Sequence, residues 1–369
     1  MIFWIEKNKI FTFDNFLRDL NSDSINTRFP GYNYFLKLLK SFLNDQTLKS
    51  LEEIINVIKF KNEKLFFNIE TSGTTSNPKK IKVSLKNCIR YVKDTSGSEN
   101  IKVWGMGYPA GSYASTQVFF QAFVNREPII YLYGIDFKKV SEIIKSHKIT
   151  NLSCTPTFLS MLIINTNTEN RTLKKITTGG EKIRDGLIFS FKNLYKNAEY
   201  INIYASTETG SLLYSKSEYF SIPKKYKNLL KIKKHTLYVH KDLLNSSSSL
   251  KLNGEWYNTN DVVEWNNDAE FRFVSRDNGY LNTGGYRVYP NEIELELLKI
   301  NGVEDVHVYG KKNSILGTII CADILTKKLT PKVIKDELSK SLEKHKVPQI
   351  IRIVNNFEYV KNGKKIIMV

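Results

Sequence analysis

A hydroxyl-rich stretch at residues 70–84, ETSGTTSNPKKIKVS, has the composition of an anion-binding loop. It sets threonines, serines and one glycine ahead of Pro78 and a lysine pair. Backbone N–H groups and hydroxyls in a Gly- and Thr-rich loop can hold an anion, and a nearby lysine adds positive charge. The stretch therefore predicts a phosphate-binding loop, with a polar surface turn as the alternative. It is not a Walker loop, because Pro78 stands where that pattern requires a second glycine.

Three further polar stretches follow strand-like runs in a fixed order. They are TTGGEKI at 177–183, NIYASTETG at 202–210 and WYNTNDVV at 256–263. With these four stretches in this order, the sequence resembles the adenylate-forming superfamily of acyl-CoA synthetases, luciferases and peptide-synthetase adenylation domains. The resemblance extends from about residue 65 to the C-terminus and is more specific than any single stretch.

The phosphate loop of that superfamily reads roughly S-G-T-T-G-x-P-K. Residues 72–79 match it except at Ser76, where a glycine is usual. The resemblance implies that the loop contacts the phosphates of ATP through Thr71, Ser72, Gly73, Thr74, Thr75 and Lys79.

A nucleoside site follows from the same resemblance. Tyr204 would stack on adenine, Thr207 would contact the α-phosphate, and Glu208 would bind Mg²⁺. Asp261 would bind the ribose hydroxyls. These roles suit the residue types, because an aromatic face packs on a purine and Mg²⁺ prefers hard oxygen ligands. The other implied nucleotide contacts are Gly179, Gly180 and Glu181 on the adenine side, Ala205, which replaces a usual glycine, and Ser206.

The segment SRDNGYLNTGGYRVYPNEIE, at 275–294, resembles the family hinge and the segment after it. Arg276 matches an arginine that contacts the ribose, and Gly279 stands at the hinge position, where an acid is usual. A glycine there would accept large backbone changes. Gly284 and Gly285 match a glycine pair that, in the family, lets the small C-terminal domain approach the second substrate. This small domain acts as a mobile lid.

The C-terminal sequence NGKKIIMV resembles the N-G-K-x-x-R ending of the family. Lys364 takes the place of the catalytic lysine, with Lys365 beside it. Ile367 stands where an arginine is usual.

The elements that must position these residues are helices and short strands in alternation. Apolar residues at 34–42 and 48–58 have helical spacing, while 64–69, 129–133 and 200–204 are strand-like. Thr155 and Pro156 predict the start of another helix. This alternation predicts an α/β fold. The resemblance adds a large α/β N-terminal domain with mixed sheets and a small α+β C-terminal lid.

Glycines and asparagines at 275–287 precede a helix predicted at Pro290–Lys299 and indicate a domain boundary. The predicted domains are 1–277, a large AMP-binding domain, and 278–369, a small mobile lid. Fewer residues precede Thr71 than is usual in the family, so we expect a reduced N-terminal subdomain.

The formal net charge of +18 is spread over nearly every segment, and no nucleic-acid module is recognisable. We therefore expect no dedicated nucleic-acid partner, although a basic surface favours anionic ligands. Three well-separated cysteines indicate a reducing compartment. Neither a signal peptide nor an apolar run long enough for a membrane span occurs, so the expected location is cytoplasmic.

The resemblance implies a two-step ligation. ATP, with Mg²⁺, would activate a small-molecule carboxylic acid as an acyl-adenylate and release pyrophosphate, and a thiol of coenzyme A or of a carrier-protein phosphopantetheine would then accept the acyl group. An amine acceptor remains an alternative. So does a degenerate relative that binds a nucleotide without ligating, because Ser76, Ala205, Asn260 and Ile367 depart from the pattern. A free α-amino acid is disfavoured, since Tyr113 stands near the aspartate position of amino-acid adenylating domains.

Overall fold

The computed structural model of the chain describes residues 1–22, 28–43, 50–60, 65–71, 79–95, 100–166, 170–183, 186–245, 250–276, 281–283, 286–313, 317–355, 358–359 and 365–366. They divide into two compact units. The larger contains Met1–Lys231, Tyr238–Asn258 and Trp265–Phe271, and the smaller contains Ile232–Leu237, Thr259–Glu264 and Arg272–Val369. The boundary between residues 277 and 278 stays a prediction.

The first part of the described chain contains both helices and strands, which alternate strictly from residue 79 to residue 206. In order they are β1 (Ile2–Glu6), β2 (Lys9–Thr12), α1 (Phe13–Leu20), α2 (Pro30–Leu43), α3 (Leu51–Phe60), β3 (Phe66–Thr71), β4 (Lys79–Ser84), α4 (Leu85–Cys88), β5 (Trp104–Gly107), α5 (Tyr113–Val124), β6 (Ile129–Tyr131), α6 (Phe137–Ser146), β7 (Asn151–Cys154), α7 (Pro156–Ile164), β8 (Lys175–Gly179), α8 (Leu187–Leu194) and β9 (Glu199–Ser206).

The rest of the described chain contains more strand. Its elements are β10 (Gly210–Ser215), β11 (Leu230–Lys233), β12 (Thr236–His240), β13 (Leu252–Asn253), β14 (Trp256–Trp265), β15 (Phe271–Arg276), β16 (Leu281–Thr283), β17 (Tyr286–Val288), α9 (Pro290–Lys299), β18 (Val303–Asn313), β19 (Gly317–Thr326), α10 (Pro331–Ser341), β20 (Ile350–Val354), β21 (Glu358–Tyr359) and β22 (Lys365–Ile366). None of the helices in the described ranges has both the length and the apolar character that a membrane crossing needs.

An eight-stranded sheet in the order β10-β9-β8-β7-β5-β6-β1-β2 forms the centre of the larger unit. Its inner strands are parallel, and β10 and β2 lie antiparallel at the two edges. Parallel neighbours need long crossovers, which α5, α6, α7 and α8 supply. The carboxyl ends of β5, β7, β8 and β9 therefore meet at one edge, where ligands usually bind in such sheets.

A buried carboxylate fixes the N-terminal helices on this sheet. Glu6, at the end of β1, accepts hydrogen bonds from the backbone N–H groups of Gly31 and Tyr32 at 3.2 and 2.9 Å. It also accepts one from Nε1 of Trp4 at 3.1 Å. Both amides lie in the first turn of α2, where N–H groups lack helical partners and favour a negative charge. Glu6 is thus a cap for α2 supplied by a neighbouring strand.

Strands β3 and β4 form an antiparallel hairpin that brackets the predicted phosphate loop. Thr71 and Lys79 form the last pair of the ladder, at the end where the connecting loop begins. A second sheet has the order β11-β12-β14-β13, with β15 paired to β14.

The smaller unit contains a sheet in the order β17-β16-β19-β18, with β20 parallel to β19. Helices α9 and α10 pack on it through Ile293, Leu297, Ile334 and Leu338. Strand β20 is held to β19 by a bidentate ion pair, because Nε and Nη2 of Arg352 donate to the buried Asp323 at 2.7 and 3.0 Å. The larger sheet domain and the smaller β-rich domain confirm the predicted fold class.

Candidate functional site

The predicted glycine pair lies at the carboxyl end of β8. Gly179 is paired with Ile203 of the parallel strand β9, and a methyl group added at Gly179 would lie 2.9 Å from the carbonyl oxygen of Ile203. Only a glycine leaves room for that approach. Gly180 follows with a φ of 84°, in the left-handed region that favours glycine. The two residues turn the chain away from the sheet edge without placing a side chain there.

Glu181, the next residue, has its carboxylate bound to the start of a helix. Its Oε2 accepts hydrogen bonds from the backbone N–H and the Oγ1 of Thr157, at 3.1 and 2.6 Å. Thr157 lies in the first turn of α7, whose N-cap is Thr155, as the sequence predicted. A carboxylate is favourable at that end of a helix. Glu181 thus ties the glycine turn to α7, while its place on the adenine side stays a prediction.

The polar residues of NIYASTETG lie at the end of β9 and in the turn to β10. Tyr204, Ala205 and Ser206 close the strand, and residues 207–209 form the turn; residues 203–208 are all half-buried. Oγ of Ser206 contacts Oγ1 of Thr209 at 3.0 Å and accepts from the backbone N–H of Thr209 at 3.2 Å. Since β8 and β9 are parallel neighbours, this turn and the Gly179–Glu181 turn share one sheet edge.

Asn245 binds the same turn from a distant part of the chain. Its Nδ2 donates to the carbonyl oxygen of Thr207 at 2.7 Å, and its backbone N–H donates to that of Glu208, also at 2.7 Å. Arg90 also contacts this region, since its Nη2 lies 3.4 and 3.3 Å from the carbonyl oxygens of Thr209 and Ser211. Sequence reasoning missed Asn245 and Arg90, because no local pattern distinguishes an asparagine that binds backbone 38 residues away.

Tyr113 is the first residue of α5 and lies close behind this turn. Its hydroxyl accepts from Nε2 of Gln117 at 3.2 Å, and a methyl group added at Gly210 would lie 2.7 Å from that hydroxyl. Burial raises the pKa of Tyr113 well above its usual value, so the phenol stays neutral. Tyr108, at the end of β5, donates to the carbonyl oxygen of Cys154 at 2.6 Å, and burial likewise raises its pKa.

Asp261 lies in β14 and is buried, with 6% of its surface exposed. Its backbone N–H donates to Oγ1 of Thr259 at 3.1 Å, and that hydroxyl donates to the carbonyl oxygen of Leu237 at 2.8 Å. Asn260 has a φ of 58°, in the left-handed region. This explains the family glycine at that position and the tolerance of asparagine, which is enriched there among other residues.

Several predicted residues lie outside the described residues or only partly within them. Thr71, Lys79 and Arg276 are described as strand backbone only. Outside the described residues lie Ser72, Gly73, Thr74, Thr75, Gly279, Gly284, Gly285 and Lys364. Their roles stay predictions. Lys365 is described as backbone in β22, paired with Tyr359 of β21.

Two family models match the chain. The model described as AMP-binding enzyme matches residues 37–232, more than half of the chain. The model described as AMP-binding enzyme C-terminal domain matches residues 292–364.

Curated relatives match over most of this chain at low identity. Bacitracin synthase 3 from Bacillus licheniformis is 23% identical over 346 residues, which is 82% of this chain but only 5% of that protein. The 2-succinylbenzoate–CoA ligase from Staphylococcus epidermidis is 24% identical over 331 residues, covering 83% of this chain and 69% of that protein. The chain thus spans a small fraction of the first relative and about two thirds of the second.

A solved structure has the same fold. The O-succinylbenzoate coenzyme A synthetase from Bacillus subtilis, in complex with ATP and magnesium ion, matches with a TM-score of 0.67 and 16% identity. The match covers 98% of this chain and 95% of that one. Together with the two family models, the sheet edge described above leads to one assignment: the chain belongs to the AMP-binding enzyme family, the adenylate-forming ligases.

Proposed function

We propose that the chain is an ATP-dependent acid–thiol ligase. It would activate a carboxylic acid as an acyl-adenylate with release of pyrophosphate, and then transfer the acyl group to a thiol of coenzyme A or of a carrier-protein phosphopantetheine. The observation that carries the proposal is the pairing of β8 with β9, because it brings Gly179–Glu181 and Tyr204–Glu208 to one edge of a parallel sheet. The three free cysteines, all buried, are in keeping with a cytoplasmic location.

In this proposal Tyr204 stacks on adenine, Thr207 contacts the α-phosphate, and Asp261 and Arg276 bind the ribose. The glycine turn supports this, since Gly179 and Gly180 leave the sheet edge next to Tyr204 free of side chains that a base would have to displace. Ala205 and Ser206 would approach the nucleotide from the end of β9, beside Tyr204.

Mg²⁺ suits the donor set of the turn. Glu208 offers a half-buried carboxylate there, and Mg²⁺ is usually held by one or two carboxylates together with substrate phosphates. In the ranges that the structure describes, no three His, Cys, Asp or Glu side chains gather into a metal-binding group. We propose that Glu208 binds the ion, which when bound would neutralise phosphate charge.

The chemistry needs no covalent enzyme intermediate. An oxygen of the carboxylate attacks the α-phosphorus, the bond to the bridging oxygen breaks, and pyrophosphate leaves. Positive charge from Lys79 and Lys364, with donors from Thr74 and Thr75, would stabilise the charge that develops on the phosphates. In the second step the thiol sulfur attacks the acyl carbon and AMP leaves.

We assign the hinge between the domains to Gly279.

The test is pyrophosphate exchange into ATP with a panel of carboxylic acids that includes 2-succinylbenzoate, aryl acids, fatty acids and α-amino acids. We expect exchange that depends on one class of acid and is absent without it. Binding of ATP without exchange for any acid would favour a nucleotide-binding relative that does not ligate. Absence of ATP binding would rule out the proposal.

The acceptor can be identified once an acid is known. Coenzyme A, a phosphopantetheine carrier and simple amines should be offered in parallel, and the acyl product measured. The formal charge of +18 favours coenzyme A or an acidic carrier, since complementary charge speeds association. Thioester formation supports the thiol proposal, whereas an amide as the main product would favour the amine alternative.

A further inference from the structure

The turn that carries Thr207 and Glu208 has its backbone carbonyl groups bound by side chains from other segments. Asn245 binds the first two of these carbonyls, at 2.7 Å each, through Nδ2 and its own backbone N–H. Arg90 contacts two further carbonyl groups, that of Thr209 in the turn and that of Ser211 in β10. The direction of successive peptide groups in the turn is therefore set from outside it.

Asn245 is itself held in place. Only 4% of its surface is exposed, and Nδ2 of Asn87 donates to the carbonyl oxygen of the preceding residue, Leu244, at 3.1 Å. Asn87 lies in α4, which directly follows β4 along the chain. Strand β4 belongs to the β3–β4 hairpin that brackets the predicted phosphate loop. A chain of hydrogen bonds therefore connects the base of that hairpin, through Leu244 and Asn245, to the turn at the end of β9.

We infer that Asn245 is a positioning residue for Thr207 and Glu208. This inference rests on the proposed function, in which Thr207 contacts the α-phosphate and Glu208 binds Mg²⁺. The backbone of both residues must be oriented before their side chains can point at a nucleotide, and Asn245 supplies a short hydrogen bond to each. Arg90, with longer contacts to the carbonyl oxygens of Thr209 and Ser211, supports the same geometry.

The test compares Asn245→Ala and Asn245→Asp with the parent. Both variants keep the backbone N–H and lose the Nδ2 donor, and the aspartate keeps the size of the side chain. One readout is the affinity for ATP by calorimetry, measured in excess chelator and again in excess Mg²⁺. The other is acid-dependent pyrophosphate exchange across a Mg²⁺ series.

Asn170→Ala is the matched control. Asn170 is similarly buried, at 3% exposure, and among the described residues its Oδ1 accepts hydrogen bonds from the nearby Thr172 and Leu173. Its loss should lower stability and leave the Mg²⁺ dependence unchanged. For Asn245→Ala we expect Mg²⁺ to increase the affinity for ATP less than it does in the parent. The rate of pyrophosphate exchange should fall by about tenfold or more, since a misplacement of about 1 Å can cost roughly 10² in rate.

The outcomes separate the inference from the function on which it rests. A parent that neither binds ATP nor exchanges pyrophosphate contradicts the proposed function itself. An active parent whose Asn245 variants match Asn170→Ala in Mg²⁺ dependence and rate overturns only the positioning role. If both Asn245 variants fail to fold, the residue is structural and the inference is likewise overturned.

Discussion

Asn260 stands where the family motif has a glycine, and its φ of 58° is the reason that a glycine is usual there. Asparagine is among the few other residues that adopt this region readily. Asn260 therefore allows the left-handed backbone conformation before Asp261, although it replaces the glycine of the motif. Single substitutions in a family pattern need not remove function when the new residue can adopt the same backbone conformation.

The left-handed backbone at Asn260 sets the cost of replacing this residue. Asn260→Val should lower the free energy of unfolding by about 1–2 kcal/mol, because a β-branched residue is strained in the left-handed region. Asn260→Gly, which adopts this conformation without strain, should be the more stable of the two variants. Chemical denaturation of both variants would check this, and a valine variant as stable as the glycine variant would show that the backbone at residue 260 is not left-handed.

The proposed role of Tyr204 can be tested by replacing this residue. If its ring stacks on adenine, Tyr204→Ala should weaken ATP and AMP alike by about 1 kcal/mol, or roughly fivefold in Kd. Tyr204→Phe is the matched control, since it keeps the ring and should keep most of the affinity. Calorimetric titration with both nucleotides would measure this. Unchanged affinity in the alanine variant would place the base elsewhere.

Elements were predictable from the sequence where their signals are local. The helix expected at Pro290–Lys299 is observed with those bounds, and Thr155 caps α7 as predicted, because caps, prolines and apolar spacing act within a few residues. Strand order was not predictable from spacing alone. The N-terminal hairpin β1–β2 joins the far edge of the sheet beside β6, a pairing between residues more than a hundred positions apart. The contacts of Glu181, Asn245 and Arg90 were missed for the same reason.

The attachment of α2 to the sheet depends on the charge of Glu6. Glu6→Gln keeps the shape of the side chain but removes the charge that three N–H donors share, so it should destabilise the protein by about 1.5–3 kcal/mol. Glu337→Gln, which breaks only an exposed ion pair with Lys340 on α10, is the control and should have little effect. Thermal unfolding would compare them, and equal small shifts would refute the role of Glu6 as a cap.

In the whole molecule, residues from both ends of the chain would take part in the one proposed reaction. The proposed nucleotide contacts lie mainly between residues 71 and 276, whereas the proposed catalytic lysine is five residues from the last. The family models match both regions, at 37–232 and 292–364. The order of the motifs in the sequence indicated that the site is divided between these two regions. The positive charge gave no such indication, because it is spread over nearly every segment.

Lys364 and its neighbour test that assignment. Lys364→Ala should lower the rate of adenylation by on the order of 10² or more while nucleotide binding persists, because the lysine would act on developing charge. Lys365→Ala is the matched control and should be nearly neutral. Pyrophosphate release, with ATP affinity measured alongside, would decide. Damage confined to the Lys365 variant would mean that the register of the motif is wrong by one residue.

The central claim is that the carboxylate of the substrate attacks the α-phosphate of ATP. It is tested most directly by labelling both carboxylate oxygens of the active acid with oxygen-18, running the complete reaction and weighing the products by mass spectrometry. We expect AMP that carries one labelled oxygen, since that oxygen stays on phosphorus when the thiol takes the acyl group. Unlabelled AMP, or label in inorganic phosphate, would contradict it.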